Sequence, residues 1–312
     1  MKVVFITDEF KLRTPVQQLL DRFLIGYPAA GEFRKPDCRL TLVAPEKNSS
    51  IEQRIKDFGL QWQSKIDVDA DAAMIFTAIP AQSARWPRSY VYAAISPLTP
   101  GTGIGGTAMR GAWLLPDITM SKNSQPAKGL VIVQGTYPVA ELEALDALLP
   151  LIWREGAKVR AVTHLVGRDF WDVLKREFWP LVKSAVSRSD SPQGDALRDG
   201  RTQDLVGLGL LEDLAKSPRG WLIEHDDGLR YVIAVMDGAV ADYNVAVQTR
   251  AGGILSAQVH RGQPPGESHY SRLAAMLEKY FSTGVPPWPP EQSWLTAELI
   301  KRFDALHGER KR

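Results

Sequence analysis

Three side chains in this sequence could move protons or hold charge in a cleft: His164, Asp242 and His260. A histidine titrates close to neutral pH, and a carboxylate with a shifted pKa can act as a general acid or base. His164 lies in a predicted strand. His260 precedes Arg261, and this pair could hold an anion or simply end a strand. The residues themselves do not rank the three candidates.

Metal-ligand patterns are sparse. The five histidines form neither an H-x-x-x-H nor an H-E-x-x-H pair, and Cys38 is the only cysteine. Neither a cysteine zinc site nor an internal disulfide is therefore expected. The run Glu224-His225-Asp226-Asp227 carries ligand-type side chains, but Asp227-Gly228 is better explained as the turn of a hairpin. No metal is predicted.

One glycine-rich run could bind phosphate. Glycines let the backbone approach a pyrophosphate, and a following helix N-terminus attracts its charge. Gly101, Gly103 and Gly106 match G-x-G-x-x-G, but residues 107–111 form a poor helix start. A loop or lid between domains is the favoured interpretation of this run.

The first predicted strand leads into a different kind of loop. Residues 7–13 contain no glycine and carry two carboxylates, Asp8 and Glu9, which should obstruct and repel a phosphate. Glu46 follows the second predicted strand, where an NAD enzyme holds its ribose-binding carboxylate. Without a phosphate loop, Glu46 is better explained as an ordinary loop residue.

Composition bounds the class of protein. The chain has 312 residues, of which 44% are hydrophobic and 24% charged, and its formal net charge is +2. At roughly 100–200 residues per domain, this length predicts two domains. A near-neutral charge gives no broad basic field, so nucleic acid is not an expected partner. No apolar run approaches the ~20 residues that span a bilayer, so no membrane association and a cytoplasmic location are expected.

The predicted elements change character along the chain. Strands at residues 2–7, 39–44, 71–77 and 90–95 alternate with helices, one of them between a Ser50-x-x-Gln53 capping signal and Gly59, which is typical of a parallel sheet. Strands follow at residues 129–134 and 158–165, with helices at 138–153 and 170–188. The strands between residues 221 and 260 indicate an antiparallel meander, and two helices close the chain.

Four segments occur together in a fixed order. They are Asp21-Arg22-Phe23-Leu24-Ile25-Gly26-Tyr27-Pro28, Tyr137-Pro138-Val139-Ala140-Glu141-Leu142, Leu222-Ile223-Glu224-His225-Asp226-Asp227-Gly228 and Phe281-Ser282-Thr283-Gly284-Val285-Pro286-Pro287. In this order they resemble a divergent branch of the Gfo/Idh/MocA oxidoreductase family. The resemblance spans most of the chain, and the shared order is stronger than any single segment.

The resemblance implies an α/β fold with two domains. Residues 1–115 would form a degenerate, shortened Rossmann-like domain, and residues 116–312 an α/β domain with an open antiparallel sheet. It also implies NAD(P) on the first domain, a sugar-like substrate, and proton chemistry by a lysine of a Glu-Lys-Pro motif and a histidine. In this chain Ser96 stands at the lysine position and Ala140 at the histidine position, and neither can replace those groups.

The main hypothesis is therefore a catalytically degenerate relative, which binds a sugar-like small molecule or a partner without redox activity and without a cofactor. One alternative is an NAD(P)-dependent oxidoreductase on a sugar-like substrate, with cofactor-side candidates Glu46, Ser96, Gly101, Gly103 and Gly106. A second is a cofactor-free lyase, isomerase or hydrolase that uses the inter-domain cleft. The resemblance also implies a homo-oligomer formed through the C-terminal sheet.

Overall fold

The computed structural model describes residues 1–65, 69–76, 89–92, 103–120, 124–191, 209–264 and 267–309. The chain divides into two compact units, Met1–Ala112 with Arg261–Glu298, and Trp113–His260 with Leu299–Arg312. The predicted division after residue 115 differs in that Arg261–Glu298 returns to the first unit. Ser96 and Gly101 lie outside the described residues.

The described elements comprise fifteen strands and eight α-helices. The strands are β1 (Lys2–Ile6), β2 (Tyr27–Ala29), β3 (Glu32–Arg34), β4 (Arg39–Val43), β5 (Gln61–Gln63), β6 (Ala72–Ile75), β7 (Ser89–Tyr92), β8 (Ile104–Gly105), β9 (Trp113–Leu115), β10 (Pro126–Val133), β11 (Val159–Val166), β12 (Arg219–His225), β13 (Arg230–Val235), β14 (Asn244–Thr249) and β15 (Ile254–His260). The helices are α1 (Pro15–Leu24), α2 (Ser49–Phe58), α3 (Val139–Ile152), α4 (Gly167–Val173), α5 (Trp179–Val186), α6 (Leu210–Leu214), α7 (His269–Thr283) and α8 (Pro290–Glu309).

The first unit contains a parallel sheet in the order β5-β4-β1-β6-β7-β8, while β2 and β3 form a separate hairpin. All five described pairings within the six-stranded sheet are parallel. Counted along the chain without the hairpin, this is the order 3-2-1-4-5-6 of a doubly wound dinucleotide-binding sheet. The expected parallel sheet is confirmed. It is fuller than the shortened sheet predicted, because the short strands β5 and β8 complete the order.

The helices of the first unit pack their apolar stripes on one face of this sheet. Helix α1 buries Leu19, Leu20 and Phe23 against Phe5 of β1, as the spacing of three and four residues dictates. Helix α7 joins the same core through residues such as Leu277. The core of the first unit is therefore closed by a helix that lies more than 200 residues further along the chain.

Hydrogen bonds from the segment around Arg22 explain why Arg261–Glu298 belongs to the first unit. Arg22 donates from Nε to Oγ of Ser271 at 3.0 Å and from Nη2 to the Glu267 carbonyl at 3.1 Å. The Tyr27 hydroxyl donates to Glu278 at 2.5 Å. These polar contacts fix the start and the middle of α7 and supplement its apolar packing.

The second unit contains a mixed sheet in the order β11-β12-β13-β10-β14-β15-β9. Strands β10 and β13 run parallel, and the other neighbours are antiparallel. The predicted hairpin at Asp226-Asp227-Gly228 is confirmed, with Gly228 at a φ of 87°. The predicted continuous meander is wrong, because β10 lies between β13 and β14. Its fully buried residues 130–133 require neighbours on both sides, which only a central position supplies.

Helices cover both faces of this sheet. One face packs on α4, α5 and α6 through a core that includes Leu130, Ile132 and Val232. The other face carries α3 over β10 and β13, and Phe303 near the end of α8 stacks on Trp221 at 4.2 Å. Strand side chains alternate between these two layers, so both sets of positions are apolar at the centre of the sheet.

Candidate functional site

Polar and ionisable residues collect at one edge of the second sheet, which we call the polar edge. Because β10 and β13 are parallel, both end there, and their antiparallel neighbours bring the starts of β12 and β14 and the ends of β11 and β15 to the same edge. The polar edge is defined by Gly135, His164, Arg219, Asp237, Asp242 and His260. All three predicted proton-transfer candidates therefore lie on one edge of one sheet.

The polar edge does not bring these three candidates into a single group. His164 lies on β11 and His260 on β15, which are separated by five strand spacings. At about 4.8 Å per spacing, the two strands are about 24 Å apart. His164 and His260 therefore cannot act on the same small-molecule bond.

His164 sits in a column of aromatic rings. Its ring stacks on that of Trp221 with 4.1 Å between the ring centroids, and the other face of Trp221 stacks on Phe303. His307 lies 5.7 Å from His164 and stacks on Tyr137 at 4.8 Å. With 9% of its surface exposed, His164 contributes mainly to packing between β11, β12 and the end of α8.

Asp242 is occupied by hydrogen bonds. Its carboxylate accepts from the Ser189 hydroxyl at 2.8 Å, the Asp190 backbone N–H at 2.7 Å, the Asn244 amide at 2.6 Å and the Gln258 amide at 2.9 Å. Four donors match the acceptor capacity of an ionised carboxylate. Asp242 thus joins the segment after α5 to β14 and β15, which is a structural task.

His260 lies at the end of β15, opposite Trp113 in the register of β9. Its ring is partly buried, and its centroid is 6.4 Å from that of Trp113. The sequence left two interpretations of His260 open, an anion-binding pair with Arg261 and a polar residue at the end of a strand. The observed arrangement fits the second.

A charged group that the sequence did not single out lies at the centre of the polar edge. Glu141, which is fully buried, accepts from Nε of Arg219 at 2.9 Å. Arg219 also donates to the Gly135 carbonyl at 2.8 Å, and the Gly135 N–H donates to Asp237 at 2.7 Å. Among the described residues, the second carboxylate oxygen of Glu141 has no hydrogen-bond partner. This network holds the turn after β10 against the start of β12.

The position of Glu141 could have been found from spacing. Glu141 precedes Leu145 by four residues and Leu148 by seven, so it falls on the apolar stripe of α3. A carboxylate on such a stripe requires a buried cation or a polar network. Ala140, where the sequence resemblance placed a histidine, is buried in the same turn of α3.

The second candidate region is the carboxyl edge of the first sheet, which we define by the loops at residues 7–14 and 44–48. The loops are joined where the Asn48 amide donates to the Phe10 carbonyl at 2.8 Å. Phe10 turns into the core with 2% of its surface exposed, and Arg54 lies over its ring at 5.1 Å. The loop after β1 is therefore anchored by an aromatic side chain, and it has no glycine.

The charges at this carboxyl edge are solvent-facing. Lys11 forms an exposed ion pair with Glu9, Arg13 is exposed, and Glu46 is exposed after β4. The backbone N–H of Arg13 donates to the side chain of Gln17 at 2.8 Å, which ties the loop to the first turn of α1. The connection after β6, residues 77–88, lies outside the described residues.

The glycine-rich run takes a strand conformation where it is described. Ile104–Gly105 forms β8, the Gly105 N–H donates to Ser293 Oγ at 2.9 Å, and Trp288 Nε1 donates to the Gly105 carbonyl at 3.2 Å. Gly103 and Gly106 flank this strand, and a 3₁₀ turn (Ala108–Gly111) follows them. The expected loop or lid is corrected here to the sixth strand of the sheet, because these side-chain bonds hold it in place.

The described part of the chain contains neither a candidate membrane-spanning helix nor a candidate metal-binding cluster. None of its helices is both long and apolar enough to cross a bilayer. No group of three or more histidine, cysteine, aspartate or glutamate side chains in the described ranges could hold a metal ion.

No protein-family model matches the chain, and no curated protein matches it in sequence. Solved structures do match over nearly its whole length. A putative myo-inositol dehydrogenase from Sinorhizobium meliloti 1021 has a TM-score of 0.55 at 11% identity, covering 96% of this chain and 95% of its own. GenD2 from gentamicin A biosynthesis, in complex with NAD, has a TM-score of 0.54 at 12% identity, with 96% and 92% covered.

A third structure, myo-inositol dehydrogenase from Lactobacillus casei in complex with NAD(H) and myo-inositol, has a TM-score of 0.52 at 11% identity, with 95% and 91% covered. Two of these three neighbours are named as myo-inositol dehydrogenases, and two are complexes with NAD or NAD(H). At such identities the likeness shows the fold. The fold that the sequence resemblance implied is thereby confirmed.

Proposed function

We propose that this protein is an NAD(P)-dependent oxidoreductase that acts on a polyol or sugar-like substrate. The observation that carries the proposal is the 3-2-1-4-5-6 order of the first sheet, followed by the mixed second sheet over the full chain. Two structures with this fold are complexes with NAD or NAD(H). We therefore prefer this function to the cofactor-free binding protein that the sequence favoured.

The carboxyl edge of the first sheet offers groups that fit a dinucleotide through side chains. Glu46, exposed after β4, would accept hydrogen bonds from ribose hydroxyls. Lys11 and Arg13, both exposed in the loop before α1, would meet the phosphate charge in place of glycine amides. The exposed pairing of Lys11 with Glu9 is cheap to exchange for a phosphate. Bound NAD(P) would supply the hydride acceptor or donor.

A second candidate function is a small-molecule-binding or partner subunit without redox chemistry. It is favoured by Phe10, whose buried ring anchors a loop without glycine where a pyrophosphate would need close backbone approach. We do not propose a cofactor-free lyase, isomerase or hydrolase, because Asp242 is fully hydrogen bonded and His164 is packed between rings.

Titration with NADH, NADPH, NAD and NADP, followed by calorimetry on the full chain, separates the two candidates. We expect saturable one-site binding of at least one of them below about 1 mM, the upper range of substrate affinities for enzymes. Bound at 100 times its Kd, a nucleotide adds about 2.7 kcal/mol to the free energy of unfolding. Absence of saturable binding for all four rejects the oxidoreductase and leaves the binding subunit.

A matched pair of variants tests the phosphate contact. Arg13→Gln should weaken nucleotide binding at least tenfold, because a charge-assisted hydrogen bond contributes about 1.5 kcal/mol or more. Arg168→Gln is the control, since the Arg168 side chain is 92% exposed in the second unit. Equal affinities for the two variants would rule out a phosphate contact by Arg13 and leave nucleotide binding itself supported.

A cytoplasmic location and a homo-oligomer through the second sheet remain predictions. Light scattering coupled to size exclusion tests the oligomer, and a monomer at micromolar concentration would contradict it.

A further inference from the structure

A polar cavity of about 260 Å³ lies at the opposite end of the first sheet from its carboxyl edge. Lys2 and Arg39 begin β1 and β4, Gln61 begins β5, and Asp69 precedes β6, so the cavity is at the amino ends of the strands. Among the described residues, those that line the cavity are Lys2, Val3, Arg39, Thr41, Gln61, Gln63, Asp69 and Ala70. It takes no part in the function proposed above.

The polarity of this lining is unexpected for the sheet that forms it. Parallel sheets are normally covered on both faces and read as continuous apolar strands. Here Thr41 is in register with Gln61, and Gln63 lies two residues further along β5 on the same face. Both glutamines are exposed, although Val4 and Ile6 on the same face of neighbouring β1 are buried. Polar side chains thus replace the apolar cover at the outer strands.

The cavity holds more hydrogen-bond donors than acceptors. The Asp69 carboxylate already accepts from Lys2 at 2.8 Å, and the Gln61 carbonyl oxygen accepts from the Thr41 hydroxyl at 3.2 Å. The amide groups of Gln61 and Gln63 line the same cavity as the Arg39 guanidinium, which carries five donors. Among the described residues, no acceptor lies within hydrogen-bond distance of that guanidinium. The charged residues of the described lining, Lys2, Arg39 and Asp69, sum to a positive charge, while Asp71, which accepts from the Lys2 backbone N–H at 2.7 Å, is not part of that lining.

We propose that this cavity binds a small anion that bears a phosphate or carboxylate group, with Arg39 as its principal contact. An arginine fork pairs with two oxygens of such a group, and the two glutamine amides supply further donors from the adjacent strand. The cavity is separate from the carboxyl edge of the first sheet, so the anion proposal does not depend on the oxidoreductase proposal.

Calorimetric titration of the full chain with inorganic phosphate and with citrate, at constant ionic strength set by chloride, tests the proposal. We expect saturable one-site binding of at least one anion, and Arg39→Gln should weaken it at least tenfold, about 1.4 kcal/mol. Binding of phosphate alone assigns a phosphate-bearing ligand, and binding of citrate alone assigns a carboxylate. Saturation by neither anion overturns the proposal.

Two further variants keep the result interpretable. Arg168→Gln removes an exposed charge elsewhere and should bind the anion like the parent chain. Gln63→Glu adds a carboxylate to the lining of the cavity, two residues beyond Gln61 on β5, and should weaken binding. Unfolding temperatures without anion check that each variant is folded. Equal affinity of Arg39→Gln and Arg168→Gln, or unchanged binding by Gln63→Glu, would show that the anion binds elsewhere and overturn the assignment.

Discussion

Removal of the Arg219 cation should be among the most damaging single changes in the second unit. Glu141 is fully buried, and one of its oxygens accepts from Arg219 at 2.9 Å. Arg219→Met leaves that carboxylate in the apolar layer without a counter-ion and removes the bond to the Gly135 carbonyl. Breaking a buried ion pair on one side costs about 3–5 kcal/mol. We expect Arg219→Met to lose free energy of unfolding in this range.

A double variant separates the ion pair from simple packing. In Arg219→Met with Glu141→Leu, no charge remains to be compensated, so most of the loss should be recovered. The remaining deficit should be about 1 kcal/mol, the size of one lost hydrogen bond to Gly135. Relative to Arg219→Met alone, the double variant should therefore recover about 2–4 kcal/mol, which is visible as non-additivity between the two sites.

Urea-induced unfolding of the full chain at neutral pH, followed by tryptophan fluorescence, measures these differences. The transition that reports Trp221 belongs to the second unit, because Trp221 is fully buried on β12. If Arg219→Met costs less than about 1 kcal/mol, the typical effect of an unremarkable substitution, the buried pair does not hold the polar edge together. A double variant no more stable than the single one would lead to the same conclusion.

Two further predictions concern titration. Burial alone would raise the pKa of Glu177, but hydrogen bonds from Arg176 and Arg230 outweigh it and hold that pKa below its ordinary 4.5. The stabilisation from Glu177 is therefore fully present above its ordinary pKa of 4.5 and is lost as the pH falls through the lowered pKa, so the gap in unfolding temperature between the parent and Glu177→Gln should close as the pH is lowered below 4.5. A constant gap would contradict this. Burial raises the pKa of the Cys38 thiol to about 11, so a thiol reagent at pH 8 should react at least ~100-fold more slowly with the folded than with the urea-unfolded chain, and equal rates would contradict it.

Local sequence signals predicted the presence of helices and strands better than the residues at which they begin and end. Gly59 ends α2 in the left-handed conformation at a φ of 71°, as expected for a glycine stop. The predicted Ser50 capping box is wrong, because the Asn48 side chain accepts from the Ile51 N–H and caps the helix. Asn48 also holds the loop after β1, so its position follows from a contact that the sequence does not display.

The sequence predicted some of the residues at the candidate site but not how they are arranged there. His164, Asp242 and His260 were chosen by residue type, and all three lie on the polar edge. Their spacing along that edge depends on which strand pairs with which, and the insertion of β10 between β13 and β14 sets it. The pair of Glu141 and Arg219 was missed, although the place of Glu141 on the apolar stripe of α3 was a usable signal.

Alternation of strands and helices, the Asp227-Gly228 turn and the ordered family segments determined the α/β class and the fold, because propensity, period and turn chemistry are local properties. Tertiary structure alone decided three things. It made the glycine-rich run a sheet strand held by Trp288 and Ser293. It returned Arg261–Glu298 to the first unit through Arg22. It also selected Arg219, 78 residues away, as the partner of Glu141. Contacts between distant segments carry no periodic or spacing signal in one sequence, so only the packed chain reveals them.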